Sequence, residues 1–158
     1  MYGDYKCPYC KKLETDIMPK LKKEYIDSGK VKYTYVNMAF LGEDSIKGSR
    51  AGHAVKDIAP NQFLEFQKMI FDNQPNHENT WLTESLIDKQ IDKLDITDEK
   101  ALKIKKEYRT KNSQSWKNAK EDQKESKKKR IQEAPTVYIN DKKIKNPYDY
   151  QEYKEHLR

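Results

Sequence analysis

Apolar residues recur at Leu13, Ile17, Leu21 and Tyr25, a spacing of four that lays one stripe along a helix and turns it toward a core. Pro19 falls inside that stripe. It has no N–H to give and its ring crowds the preceding turn, so a kink is predicted there. Asp27-Ser28-Gly29-Lys30 is turn chemistry. Val31 to Met38 follows with β-branched and aromatic residues and reads as a strand, Tyr33 and Tyr35 on one face, Thr34 and Val36 on the other.

From Gly42 to Arg130 the period is helical. Ile46, Ala54, Val55 and Ile58 mark a segment that Pro60 ends, and Phe63, Phe66, Met69 and Ile70 mark the next. A polar loop runs from Asn73 to Asn79. Thr83 is placed to cap a helix carrying Leu86, Ile87, Gln90 and Leu94, and Thr97 one carrying Ala101, Leu102, Lys105 and Tyr108. A lysine-rich helix from Ser113 to Arg130, anchored by Trp116 and Ala119, closes the set. Aromatic stripes at this spacing are core, so no cofactor is expected. Strand language then returns: Pro135 to Asn140 and Asp141 to Ile144 surround an Asn-Asp turn and read as a hairpin. Tyr150, Tyr153 and Leu157 give a terminal amphipathic helix.

Composition narrows the class. With 158 residues, 35% hydrophobic and 37% charged, the chain is long enough for one compact unit with a lean core and an ionic surface. It has no apolar run of 18 residues and no signal peptide as written. The net charge of +6 is dispersed over lysines apart from Lys127-Lys128-Lys129-Arg130, read as a solvated helix face rather than a nucleic-acid patch.

The chemistry sits in the two cysteines, Cys7-Pro8-Tyr9-Cys10, at the start of the first helix. By chance two cysteines fall three apart in only roughly 1% of arrangements of a chain this long, and the pattern is that of a thiol redox pair. Unpaired N–H groups and the positive end of the helix dipole favour a thiolate at Cys7. An ordinary thiol near pKa ~8.5 is only about 3% ionised at pH 7, whereas motif cysteines fall to roughly 3.5–7.5. Cys7 is therefore the candidate nucleophile and Cys10 the resolving thiol. Pro8 suits the first helical turn, and Tyr9 completes the dipeptide that tunes the thiolate. A zinc half-site and a purely structural disulfide are the alternatives. Zinc wants four ligands and His53, His77 and His156 stand at no ligand spacing, so no metal is expected. Asp4, three residues before Cys7, reads equally as a turn or cap residue and is left out of the catalytic set.

These residues carry a resemblance. A helix-opening Cys-Pro-Tyr-Cys after Tyr2-Gly3-Asp4-Tyr5-Lys6, then a strand, a helical segment and Ala134-Pro135-Thr136-Val137-Tyr138-Ile139-Asn140, resembles the DsbA-like branch of the thioredoxin superfamily, particularly the Gram-positive disulfide oxidoreductases. Pro19-Lys20-Leu21, Phe40-Leu41-Gly42 and the late Pro147-Tyr148-Asp149-Tyr150 fit the same pattern. The resemblance covers essentially the whole chain.

It implies an α/β thioredoxin-like fold, with residues 1–41 and 131–158 as the core and 42–130 as a helical insertion in one compact unit. Pro135 would be the cis-proline facing the sulfurs and Ala134 the residue offering its backbone to a substrate peptide, like one rung of added strand. The bland alternative has Pro135 opening an edge strand in trans. The family often has Gly-Thr before this proline and Asn-Gly in the hairpin, where this chain has Glu133-Ala134 and Asn140-Asp141. The first central strand is expected to be truncated at Met1, by a shortened reading frame, by trimming, or in a fold completed by another copy.

The implied activity is thiol–disulfide exchange that introduces disulfides into unfolded or reduced exported proteins outside the cytoplasm of a Gram-positive-like bacterium. A membrane quinone-linked partner would re-oxidise the pair. Three rivals stay open: a glutaredoxin, which is shorter and lacks the insertion; a reductase or isomerase of the same fold; and a redox-inert peptide-binding protein using the groove beside Pro135.

Overall fold

Pro8 opens the first helix as its chemistry dictates. In the computed structural model, which describes residues 1–158, α1 runs Pro8–Asp16 behind Cys7, whose extended backbone (φ −80°, ψ 121°) forms the N-cap. The kink expected at Pro19 is present: α1 gives way at Ile17, a short α2 (Met18–Leu21) restarts with Pro19 in its first turn, and a π-helical turn, Lys22–Ile26, follows. Leu13, Ile17 and Leu21 are buried with Met18 against Val137, Ile144 and Tyr153, so the four-residue stripe faces one small core.

The sheet is narrow. Strand β1 (Tyr2–Gly3) pairs in parallel with β2 (Val36–Asn37). On its other side Tyr2 exchanges backbone bonds of 2.7 and 3.0 Å with Thr136. Strands β3 (Tyr138–Ile139) and β4 (Lys142–Lys143) form the antiparallel hairpin, turned by Asn140 (φ 48°) and Asp141 (φ 69°), both left-handed as a tight primed turn requires.

Both predicted strands shorten. Val31 to Met38 becomes Val36–Asn37 because ladder bonds form only where β1 lies alongside: the Met1 ammonium reaches Thr34 O at 2.9 Å, and Val36 N and Met38 N reach Met1 O and Gly3 O at 2.8 Å. Pro135 to Asn140 becomes Tyr138–Ile139, since a proline has no N–H for the ladder.

Between β2 and β3 every regular element is helical: α3 (Glu43–Ile58), α4 (Phe63–Asp72), α5 (Glu84–Asp92), α6 (Asp98–Arg109) and α7 (Gln114–Lys128). The Thr83 and Thr97 hydroxyls accept from Leu86 N and Lys100 N, each at 3.2 Å, as the cap pattern predicts. One expectation is corrected on α6: Leu102 is 66% exposed, and the buried stripe is Ala101, Ile104 and Tyr108, because Ile104 supplies the apolar contact a turn on from Ala101. Helix α7 is held by Trp116, whose Nε1 donates to Tyr108 O (2.7 Å) beneath the Arg50 guanidinium, 3.4 Å from the ring centroid. Lys127 to Arg130 are exposed. Helix α8 (Tyr150–His156) starts at Asp149, which accepts from Gln151 N at 3.1 Å. No helix is long and apolar enough to cross a membrane.

Two glycines bring this helical layer onto the segment that leads to the cysteines. A Cβ on Gly48 would lie 2.4 Å from the Leu82 side chain and one on Gly52 2.7 Å from Tyr5 Oη. Tyr5 is therefore buried between α3, the Tyr35 ring stacked at 5.7 Å and the Phe71 ring edge-on at 5.4 Å.

Candidate active site

The turn that presents Cys7 is held from several sides. The buried Asp4 carboxylate accepts from Lys6 N (2.9 Å), Phe40 N (2.9 Å), Leu41 N (3.2 Å) and Ser45 Oγ (2.8 Å), so the cap-and-turn reading of this residue is what the fold uses. Lys6 Nζ meets Asp44 Oδ1 at 2.9 Å with both side chains almost wholly buried, and Asp44 Oδ2 accepts from Trp81 N and Leu82 N at 3.1 and 3.2 Å. Burial opposes ionisation of Asp44, yet the Lys6 ammonium and the two N–H groups hold it below the ordinary carboxylate range. Gln74, beyond α4, donates to Tyr5 O (2.9 Å) and Cys7 O (3.1 Å).

Both cysteines are free thiols, Cys7 6% exposed and Cys10 4%. Their acidities are driven apart. A hydrogen bond from the Cys10 thiol lowers Cys7, burial opposes it, and the Cys10 and Tyr9 N–H groups add to the lowering, bringing Cys7 to about 7. Cys10 is raised well above the usual thiol range by that same bond, by burial and by the charge at Cys7. One sulfur can thus be a thiolate at neutral pH while the other stays protonated.

Facing them is the Ala134–Pro135 peptide, which is cis. Cys7 Sγ lies 3.5 Å from Ala134 O. The neighbouring Ala134 N–H makes no hydrogen bond within the chain. A groove of about 420 Å³ opens here, floored by Glu133 to Thr136 and walled by Tyr9, Lys143 to Lys145, Pro147 and Tyr148. Tyr9 is 66% exposed at its rim, and its carbonyl accepts from Tyr148 Oη at 2.9 Å.

The structure thus brings together Cys7, Pro8, Tyr9, Cys10, Ala134 and Pro135, all six sequence candidates, and adds four supports that the pattern did not reveal: Lys6, Asp44, Gln74 and Tyr148. No three His, Cys, Asp or Glu side chains gather at metal-binding geometry.

Comparison with known proteins follows the same lines. A family model described as thioredoxin matches residues 1–158. Disulfide bond formation protein D of Bacillus subtilis is 39% identical over 98% of this chain and 68% of its own length. The chain belongs to the DsbA-like thiol–disulfide oxidoreductases of the thioredoxin superfamily. A further member of this family, a probable disulfide bond formation protein D of Bacillus cereus, is 37% identical over 88% of the chain and 63% of its own length. Oxidised BdbD from Bacillus subtilis superposes with a TM-score of 0.87 at 36% identity, covering 99% of this chain and 82% of that one. The MdbA oxidoreductase of Actinomyces oris shares the fold, with a TM-score of 0.78 at 21% identity over 99% of this chain and 76% of its own.

Proposed function

We propose that this oxidoreductase is a disulfide donor to reduced, unfolded exported proteins, acting at Cys7–Cys10 outside the cytoplasm, with residues 1–41 and 131–158 as the redox core and 42–130 as an insertion that braces it. The observation that carries the reading is the placement of Cys7 at the N-cap of α1, its Sγ 3.5 Å from Ala134 O beside the open groove along Glu133 to Thr136. In the oxidised enzyme a substrate thiolate attacks Cys7 Sγ, the Cys7–Cys10 bond breaks and Cys10 leaves. A second substrate thiolate then attacks the substrate sulfur of the mixed disulfide, forming the substrate disulfide and releasing Cys7 as a stabilised thiolate. The substrate loses two electrons and the enzyme gains them. Ala134 O and N–H offer the incoming peptide one rung of strand pairing, with Pro135 setting their direction and Pro8 and Tyr9 tuning the thiolate. A quinone-linked membrane partner restores the disulfide.

A reductase role on the same site draws on one observation: Cys7 at about 7 matches the roughly 7 of thioredoxins rather than the roughly 3.5 of the strongest oxidants. The reduction potential of the pair in glutathione buffers separates the two. A value near about −120 mV marks a donor and one near about −270 mV a reductase. Oxidation of a reduced test protein must disappear in Cys7→Ser; persistence there sinks the redox reading.

A further inference from the structure

The groove beside the cis Ala134–Pro135 peptide is apolar at Pro135, Pro147 and the Tyr148 ring, and basic along one wall, where Lys143 and Lys145 stand. Strand alternation puts the two lysines together. Ile144 between them turns inward and is 1% exposed, so its neighbours on either side project the other way. Both lysines are exposed, and the ion pairs of the chain involve neither ammonium.

That wall is held in shape. Glu152 on α8 is the carboxylate nearest in the fold to Lys145's loop, yet it is turned to the backbone, accepting from Lys145 N at 2.6 Å and Asn146 N at 2.9 Å. The Asn146 and Lys145 N–H groups hold it below the ordinary carboxylate range, and the same bonds fix the loop while leaving the Lys145 ammonium free. Asn146 Oδ1 then accepts from Tyr148 N at 3.0 Å, and Tyr148 Oη closes onto Tyr9 O. Lys12 Nζ sits 4.3 Å from the centroid of the Tyr148 ring, with Asp16 one helical turn further along α1. The groove lining itself holds Lys143 and Lys145 and a single carboxylate, Glu133.

We propose, on the reading of Cys7–Cys10 as the exchanging pair, that Lys143 and Lys145 select reduced polypeptides carrying an aspartate or glutamate within about three residues of the reacting cysteine. A substrate joined to Cys7 Sγ and paired at Ala134, whose carbonyl lies 3.5 Å from that sulfur, runs on along the groove, since an extended chain advances roughly 3.3 Å per residue. Its neighbouring side chains then meet the lysine wall. Apolar contact with Pro135, Pro147 and Tyr148 is open to any unfolded segment. A carboxylate beside two free ammonium groups distinguishes one segment from another, and a basic side chain in the same place meets like charge. The exchange itself is unaltered: the substrate dithiol loses two electrons and two protons, and the Cys7–Cys10 disulfide takes them up.

The test is the oxidation of dithiol peptides by the oxidised full chain, followed by acid quench and mass spectrometry. The peptides share one sequence and differ only in carrying glutamate, glutamine or lysine on both sides of the first cysteine. Each rate is divided by that of the same peptide with hydroxyethyl disulfide, an uncharged reagent, which cancels the effect of the neighbours on the peptide thiols. In about 20 mM salt the glutamate peptide should be preferred over the glutamine peptide by roughly fivefold or more, and the lysine peptide disfavoured by a similar factor. Both factors should shrink toward about twofold near 0.5 M salt, where screening is short-ranged. Lys143→Gln with Lys145→Gln should bring the three corrected rates within about twofold of one another, and Lys143→Glu with Lys145→Glu should reverse their order. Equal corrected rates in wild type overturn the proposal while leaving the exchange reading intact. A preference that persists unchanged in the double glutamine variant belongs to the chain's net charge of +6 and overturns it as well. If wild type oxidises none of the peptides, it is the exchange reading that fails, and the selectivity falls with it.

Discussion

Cys7 Sγ donates to the carbonyl oxygen of Ala134 across 3.5 Å, joining residues 127 positions apart. As a thiol Cys7 gains from that carbonyl. As a thiolate it faces the oxygen's negative end and depends on the Cys10 thiol and the N–H groups at the start of α1. The pair therefore fixes the position of the nucleophile, while its lowered pKa comes from the Cys10 thiol and the helix N–H groups.

Alkylation of Cys7 by iodoacetamide should show a midpoint near pH 7. Cys10→Ala removes the largest stabilising bond, and its midpoint should move up toward the ordinary ~8.5. The linked stability has a definite sign: a thiol whose folded pKa lies below its unfolded one stabilises the reduced protein above the unfolded value, and the gain fades as pH falls through about 7. Urea denaturation of reduced wild type and Cys7→Ser should accordingly diverge between pH 6 and 9, wild type gaining.

Glu14 carries the opposite sign. Its folded pKa of about 7 lies above the unfolded carboxyl value, so the native state holds the proton longer and stability falls as pH rises from about 4.5 to 7. Glu14→Gln should remove that fall, which amounts to roughly 3.4 kcal/mol between the two limits. Melting temperatures of the two proteins at pH 5 and pH 8 give the check: the difference between them should move several degrees in favour of the variant.

The Lys6–Asp44 pair should be unforgiving of single changes. Lys6→Met leaves a buried carboxylate without its cation and should cost about 3–5 kcal/mol in urea unfolding. Asp44→Ala should cost at least as much, since it strands the lysine and also removes the acceptor for Trp81 N and Leu82 N.

Tyr148→Phe should be mild. It removes the bond from Tyr148 Oη to Tyr9 O, but that carbonyl belongs to an exposed residue at the start of α1 and water can replace the donor, giving a loss of about 0.5–1.5 kcal/mol. The reduction potential should stay put, because neither sulfur loses a partner.

Local chemistry is what the sequence made legible. The four-residue stripe, the kink at Pro19, the threonine caps, the Asn-Asp hairpin and the position of Cys7 at a helix start all depend on neighbours within a few residues. Ala134 and Pro135 were reached only through resemblance, since nothing in spacing connects them to Cys7. The braces were out of reach for the same reason. Gln74 lies in a polar loop where a glutamine means nothing until the fold brings it under Tyr5 O and Cys7 O. Glu14 stands between the stripe residues Leu13 and Ile17, where nothing in the pattern singles it out. Only the packing of α4 over α1, with Gln67 upon it, shows that position to be inside. The two predicted strands were too long because composition marks where extension is favourable, while a ladder needs a neighbour.

Gly3 gives the strand a say in the chemistry of the helix. A methyl group there would sit 2.6 Å from Tyr35 Oη and 3.2 Å from Cys10 Sγ. The close approach of β1 to the Cys10 sulfur thus depends on a residue with no side chain. A side chain at position 3 would press on the buried sulfur from the strand, on the side away from the Pro8-Tyr9 dipeptide's exposed face.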